Sequence, residues 1–492
     1  MATAAGWLQS VRELAELATP LKFSAFNAQL AQVALQIDIP ADQLRAALCL
    51  FAAYPFAMVL CVLPAPSAKH WMNICVGLAM AQLVYGPEWL HSFGSALVTY
   101  LLMKFAPIKQ APYIVFVFNM AYVAALHIYR MSVDYMGWSM DCTASQMLLL
   151  IKLTSFGFNY YDGAVQASTA IRDTDKPAVV KMKQTRARFA VQHMPSLLQY
   201  FGFVYGFTTF IAGPAFEYRE YLDSVEGSKF VFKGQRRVPS CFFAALKKFC
   251  IGVFFMALLA LYGSFANLPV ILGLDEPLSV KWGRILLALF LTRGKYYAAW
   301  KLAEGATIIS GAGFEGFDDN GNSKGWNGVS NIDILGFEFG ESVRDLSRSW
   351  NKGTQAWLER YVYSRTGNSL IVTYLCSAVW HGFYPGYYLF FLTIPLATSV
   401  NRLSRKHIRP LFLQTEKDAS SGGPGPFKPL YDVLGMLCTA LMINYLAVSF
   451  VVLSWERSFL GFQSMHFAGH IGLLAAYIVL SLIPSKRTPK QL

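Results

Sequence analysis

The chain has 492 residues, of which 55% are hydrophobic, 15% aromatic and only 14% charged. A soluble globular chain carries about 25% charged residues, and here the apolar residues gather in blocks of roughly the length that crosses a hydrocarbon core as helix. An ordinary soluble fold is excluded, and the formal net charge of +13 comes with no nucleic-acid-binding module, so no nucleic acid is expected as a partner.

Residues 1–45 carry Trp7, Leu8, Val11, Leu14, Ala15 and Ala18 at helical spacing, flanked by Arg12, Glu13, Glu16 and Lys22. That pattern predicts an amphipathic segment, lying at the membrane interface or packed on the rest of the protein. No signal-peptide pattern precedes it.

Residues 46–484 hold the candidate spans: Ala46–Leu63, Trp71–Tyr85, Phe93–Phe105, Tyr113–Ile128, Met147–Asn159, Phe249–Ala266, Ile285–Leu302, Leu370–Trp380, Phe383–Ser399, Leu434–Leu453 and His470–Ile483. The expected fold is all-α, a polytopic transmembrane bundle of about ten to twelve crossings. Several blocks are short for a simple crossing. They predict broken or re-entrant helices, which are tolerated where freed backbone groups face protein or a wet cavity. Residues 485–492 form a basic tail, expected in the cytosol.

Four basic clusters span Arg172–Arg188, Lys229–Lys248, Arg402–Arg409 and Lys486–Lys490, and the positive-inside rule places all four in the cytosol. A single apolar segment, Leu197–Phe216, separates the first two. One crossing would put them on opposite sides, so this segment, with Gly213-Pro214 breaking it, is predicted to re-enter or turn back. Eight scattered cysteines suggest small core residues, and no metal site is expected.

The longest polar stretch, Gly305–Gly367, has glycines in Ser310-Gly-Ala-Gly-Phe-Glu-Gly316 but no Gly-Lys-Ser/Thr. Those glycines predict turns at a helix end and not a phosphate-binding loop. In its second half Trp350 and Trp357 flank Asn351, aromatics of a kind that favours the membrane interface. The stretch leads into Ser369–Val400, which has no Asp, Glu, Lys or Arg and contains His381. A polar imidazole in such a run needs a partner, and an intramembrane ionisable residue is a functional-site candidate; a structural histidine bonded to a neighbouring carbonyl is the other reading.

A buried His beside an amide suits acyl transfer to a hydroxyl. A neutral imidazole can take the hydroxyl proton, and Asn351 can orient that base or donate to the developing oxyanion. Direct transfer from a thioester needs no Ser or Cys nucleophile, although Cys376 offers a covalent alternative. Lys152, Arg293 and Lys295 are the main charges inside the spans and would suit an anionic substrate. Glycines and proline at Gly382, Pro385 and Gly386 predict a helix break just after His381.

The string Trp380-His-Gly-Phe-Tyr-Pro-Gly-Tyr-Tyr388, with Trp350-Asn351, Thr354 and Trp357, resembles the membrane-bound O-acyltransferases, and within them the lysophospholipid acyltransferases of plant and algal type. Asn159-Tyr-Tyr-Asp-Gly163, Gly213-Pro214, Glu304 with Gly311 and Gly313, and Asn331-Ile-Asp-Ile-Leu-Gly336 extend the likeness across nearly the whole chain. The resemblance implies a catalytic domain over 46–484 with helices around a central chamber, His381 as catalytic base and Asn351 as its partner. Trp350, Trp380, Tyr384 and Glu304 are then expected at the substrate. It implies acyl-CoA as co-substrate and no cofactor, lysophospholipids as acceptors, surrounding membrane lipids as partners, and an endoplasmic reticulum location. Headgroup and chain preference stay open, as does a homodimer. Acylation of a protein, a peptide or a neutral glyceride is the alternative within the family, and a proton-coupled transporter the alternative outside it.

Overall fold

The computed structural model describes residues 23–137, 139–165, 168–413 and 425–484. The amphipathic pattern over 7–18 and the basic tail at 485–492 lie outside the described residues.

The helices, in chain order, are α1 (Ser24–Gln36), α2 (Ala41–Val62), α3 (Pro66–Tyr85), α4 (Trp89–Phe105), α5 (Ala111–Val133), α6 (Cys142–Ala164), α7 (Pro177–Phe189), α8 (Leu197–Val204) and α9 (Tyr218–Glu226). A two-stranded hairpin, β1 (Val231–Phe232) and β2 (Gln235–Arg236), follows. Then come α10 (Phe242–Tyr262), α11 (Leu268–Gly273), α12 (Leu278–Ile309), α13 (Ile334–Glu338), α14 (Val343–Ser349), α15 (Lys352–Trp357), α16 (Leu370–His381), α17 (Pro385–His407), α18 (Lys428–Val452), α19 (Trp455–Ser464) and α20 (Ala468–Leu482).

Every predicted span falls on one of these helices, and most of the helices extend beyond the apolar run. The helix expected over Met147–Asn159, for example, starts at Cys142, where the Asp141 carboxylate accepts the Thr143 N–H at 3.0 Å. By length and composition four helical stretches among the described residues can cross a membrane: α2, α5, Phe242–Gly273 and α18. The pair α19 and α20, bent by 74°, makes up to five. This is fewer than the roughly ten to twelve crossings that apolar blocks suggest, because the other helices are shorter or less apolar. The outer surface of a crossing helix is lipid-like: along Phe242–Gly273 only 11% of the apolar window is buried, and Phe243 is 80% exposed. A soluble monomer rarely exposes such a patch.

The chain forms two compact units. The first comprises the residues up to Phe255, Tyr296–Asn331 and Ala356–Thr373. Its spine is α6, whose Leu149, Leu150, Leu153 and Phe156 are buried with Tyr200 and Phe203 of α8. The segment expected to turn back does break: α8 spans 8 residues, a rise of only about 12 Å, and the chain then runs through irregular but buried residues 205–216. Lys152 serves this break. Its ammonium donates to the carbonyls of Phe203 and Val204 at the end of α8 and lies 4.5 Å from the Phe203 ring centre, so it holds a helix terminus where an anionic substrate had been the expectation.

In the same unit Glu304 is fully buried, and its Oε2 accepts from Lys248 at 2.8 Å and Lys301 at 2.7 Å. Its Oε1 accepts the Asn331 N–H at 2.7 Å, pinning the end of the polar loop that follows α12. As the glycine pattern predicts, α12 ends in a turn with Gly311 at φ +89°. Trp357 is a core residue and not an interface aromatic. It is 2% exposed, and its indole N–H donates to Thr154 at 2.9 Å.

The second unit comprises Met256–Lys295, Ile332–Gln355 and the described residues from Tyr374 onward. Its core gathers Leu272, Leu289, Ile394, Tyr445, Phe462 and Leu473 from α11, α12 and α17 to α20. Arg293 of α12 makes a two-pronged pair with Glu338 of α13, both contacts 2.8 Å, and a third bond to Asn444 of α18 at 2.7 Å. This geometry uses the planar guanidinium fully, so Arg293 ties the polar loop to two long helices and is not free for an anionic substrate.

Candidate active site

The second unit contains both candidate catalytic side chains. His381 is the last residue of α16, and the predicted break follows it. Gly382 takes φ +119°, a conformation that only glycine adopts at little cost, and its N–H closes the helix on the Ala378 and Val379 carbonyls. Pro385 then opens α17, where a missing N–H costs nothing. Gly386 is required by a close approach: a Cβ there would meet the Ser449 carbonyl oxygen at 2.0 Å. Its N–H donates at 2.7 Å to the carbonyl of Leu453, which sits in a γ-turn at the end of α18 with φ +65° and ψ −50°. The glycines and proline therefore aim one helix end and dock the next.

The His381 ring is half-buried, and its Nδ1 lies 2.7 Å from the Ser377 carbonyl. A carbonyl only accepts, so Nδ1 carries the proton, and the neutral ring has its lone pair on Nε2. Rings of Trp380 (4.6 Å between centres), Phe391 (5.1 Å), Phe450 (5.2 Å) and Tyr387 (5.8 Å) surround it. The bond to a neighbouring carbonyl belongs to the structural reading of this histidine. It also fixes the tautomer that a base requires.

Asn351 is the second of the two residues between α14 and α15, at φ +42°. Asn and Gly tolerate this left-handed conformation far better than other residues do. Its carbonyl accepts the Gln355 N–H at 2.9 Å, and its Oδ1 accepts from the Thr354 hydroxyl at 2.9 Å. With the oxygen engaged, the Nδ2 donors are the part of the amide suited to a developing oxyanion. Ser342 caps α14 through the Asp345 N–H at 3.2 Å, and the Ser349 carbonyl accepts the Asp333 N–H at 2.9 Å. Trp350 packs on Phe337 at 4.9 Å, over which Arg293 lies at 5.5 Å.

Trp380 and Tyr384, 6% and 8% exposed, flank His381 along the chain, and Tyr384 leads into α17. Trp350 and Asn351 share the α14–α15 junction. Glu304 belongs to the other unit. Sequence reasoning missed the ring cage from Phe391 and Phe450 and the Arg293, Glu338 and Asn444 tie, since nothing in the local sequence marks such partners. The Ser377 bond had a signal: a histidine closing a helix lies within reach of the carbonyl four residues back.

The family model described as MBOAT, membrane-bound O-acyltransferase family, matches residues 127–448, a range that includes Asn351 and His381. The chain is 31% identical over 466 residues to a lysophospholipid acyltransferase of Schizosaccharomyces pombe, covering 90% of this chain and 87% of that one. It is 31% identical to membrane-bound glycerophospholipid O-acyltransferase 2 of Gallus gallus, covering 92% and 87%. Lysophospholipid acyltransferase 1 of Arabidopsis thaliana is 28% identical, with 94% of this chain and 99% of that one covered. A multi-pass helical membrane protein matched over most of its length, the chain belongs to the membrane-bound O-acyltransferase family and is an O-acyltransferase.

Proposed function

We propose that the chain is an acyl-CoA-dependent lysophospholipid acyltransferase of the endoplasmic reticulum membrane, acting without a metal or other cofactor. The acceptor is the free sn-2 hydroxyl of lysophosphatidylcholine and of other lysophospholipids. The observation that carries the chemistry is the Nδ1-protonated imidazole of His381, held by Ser377 at a helix break. The relatives named for lysophospholipids carry the substrate class.

In this reading Nε2 of His381 takes the proton of the sn-2 hydroxyl as that oxygen bonds to the thioester carbonyl carbon. The carbonyl oxygen gathers negative charge and receives the Asn351 amide N–H. Collapse breaks the C–S bond, and the imidazolium returns its proton to the CoA sulfur. Trp350, Trp380 and Tyr384 offer aromatic surface to the lipid, and Glu304 serves the substrate through the loop end it holds at Asn331.

Purified protein given lysophosphatidylcholine and an unsaturated acyl-CoA should release free thiol, and His381→Ala should lower turnover by roughly 10² to 10⁴ with the fold intact. No CoA release with any lysophospholipid headgroup, or full activity in the alanine variant, would sink the proposal. Release only with a peptide or a neutral glyceride would move the enzyme to the other acceptor class.

A further inference from the structure

In the first unit, away from His381 in the sequence, two arginines share one carboxylate. Arg365 bonds Asp162 of α6 through Nη1 at 3.1 Å and through Nη2, and its side chain is only 6% exposed. Arg186 of α7 is close enough to Asp162 and Arg365 for both to act on its charge, as do the phenols of Tyr113 and Tyr161. Burial, and then Arg365, push the Arg186 guanidinium below its ordinary range; Asp162 and the two phenols oppose that.

One carboxylate cannot neutralise two guanidiniums, so the group carries a surplus positive charge. Two of its strong donors are also unused: the Nε of Arg186 and the Nε of Arg365 are buried and without hydrogen-bond partners. A buried charged donor left unmade is costly, and native proteins rarely keep one without a ligand or ion to meet it. The Arg365 orphan is held in place, because its Nη atoms are anchored on Asp162 and its plane lies 4.8 Å from the Phe158 ring centre. The first basic cluster surrounds Arg186 along α7 with Lys181, Lys183 and Arg188.

We infer that Arg186 and Arg365, set by Asp162, form a binding site for a phosphate group of a substrate. Planar guanidiniums match phosphate oxygens in geometry as well as charge. Either the CoA phosphates or the phosphodiester of the lysophospholipid could supply that group, so the inference rests on the proposed acyl-CoA and lysophospholipid reaction only for its source.

The test uses the full-length protein in nanodiscs, with CoA and inorganic pyrophosphate as probes in calorimetric titrations, alongside the KM for each substrate. Arg186→Gln is the principal variant because it leaves the Arg365 and Asp162 pair intact. Loss of one charged contact should weaken binding roughly tenfold to a hundredfold, and Arg186→Lys should recover part of it. Weaker CoA and pyrophosphate binding with an unchanged lysophospholipid KM places the nucleotide phosphates here. A raised lysophospholipid KM alone places the lipid phosphate here. Unchanged CoA affinity, pyrophosphate affinity and lysophospholipid KM in a folded Arg186→Gln protein overturn the site. If the wild type lacks CoA-dependent turnover yet loses pyrophosphate affinity on substitution, the site stands and the acyl-CoA reading falls.

Discussion

In the proposed reaction Asn351 has two duties that a pair of substitutions can separate. Its backbone occupies the left-handed region at φ +42°, and its amide oxygen is fixed by Thr354. Asn351→Ala places a Cβ residue without a local polar contact in that region, at a cost of about 1–2 kcal/mol, and removes the amide as well. Asn351→Gly removes the amide but relaxes the backbone. If the amide donates to the oxyanion, both variants should lose turnover by a similar factor of roughly 10² to 10³ while only the alanine variant melts earlier. Restored turnover in the glycine variant would show that Asn351 acts through the shape of the α14–α15 junction alone. At His381 the candidate was legible from an apolar run that holds an imidazole. Its tautomer was not, because that depends on which backbone oxygen the ring meets.

At the scale of helices, the unit that presents His381 is a pair of junctions. Gly386 allows α17 to begin against the end of α18, and Gly386→Ala drives a methyl to within 2.0 Å of the Ser449 oxygen. Overpacking of this kind costs about 1–3 kcal/mol, so a thermal melt of the solubilised variant should shift down and turnover should fall with it. An unshifted melt would mean that α17 slides to accommodate the methyl. The other junction is the Arg293 tie. Arg293→Lys keeps the charge but cannot span both Glu338 oxygens and Asn444; the loss, about 1.5–3 kcal/mol for each charged bond not replaced, should appear as reduced turnover because the loop carrying Asn351 loosens. Wild-type kcat and melting temperature in that variant would show that the tie is dispensable.

These elements explain what sequence could and could not disclose. The break after His381 was readable because glycine at positive φ and proline at a helix start are local backbone instructions. The Arg293 partners lie 45 and 151 positions away in the chain, so a basic residue in an apolar run looked like a substrate contact. Trp357 misled in the opposite sense: an indole beside a polar loop resembles an interface anchor, yet Thr154, 203 positions earlier, buries it. Lys152 was similar, since the helix terminus that it caps could not be seen before α8 was known to stop at Val204.

Across the whole molecule, hydropathy located the helices well because each apolar block satisfies its own backbone, whatever its neighbours. It gave the crossings less well, since length, bending and charge decide whether a helix traverses the bilayer. If the short α8 and the buried irregular chain after it turn back without crossing, α7 and the β1–β2 hairpin face the same compartment. Lys183→Cys and Lys233→Cys, placed one at a time in a cysteine-replaced background, should both react with an impermeant maleimide from the cytosolic side of sealed vesicles. Labelling from opposite sides would convert residues 197–216 into a full crossing.

The position of His381 as the terminal residue of α16 has an electrical consequence. In the proposed reaction the imidazole that gains a proton becomes a cation at the negative pole of its own helix. A cation so placed is favoured by about 0.3–1 kcal/mol, and up to ~2 kcal/mol where partly buried, which at its upper limit amounts to roughly thirtyfold in rate. The helix end thus acts as a counter-ion made of peptide bonds, present before any substrate arrives and fixed where the charge is born.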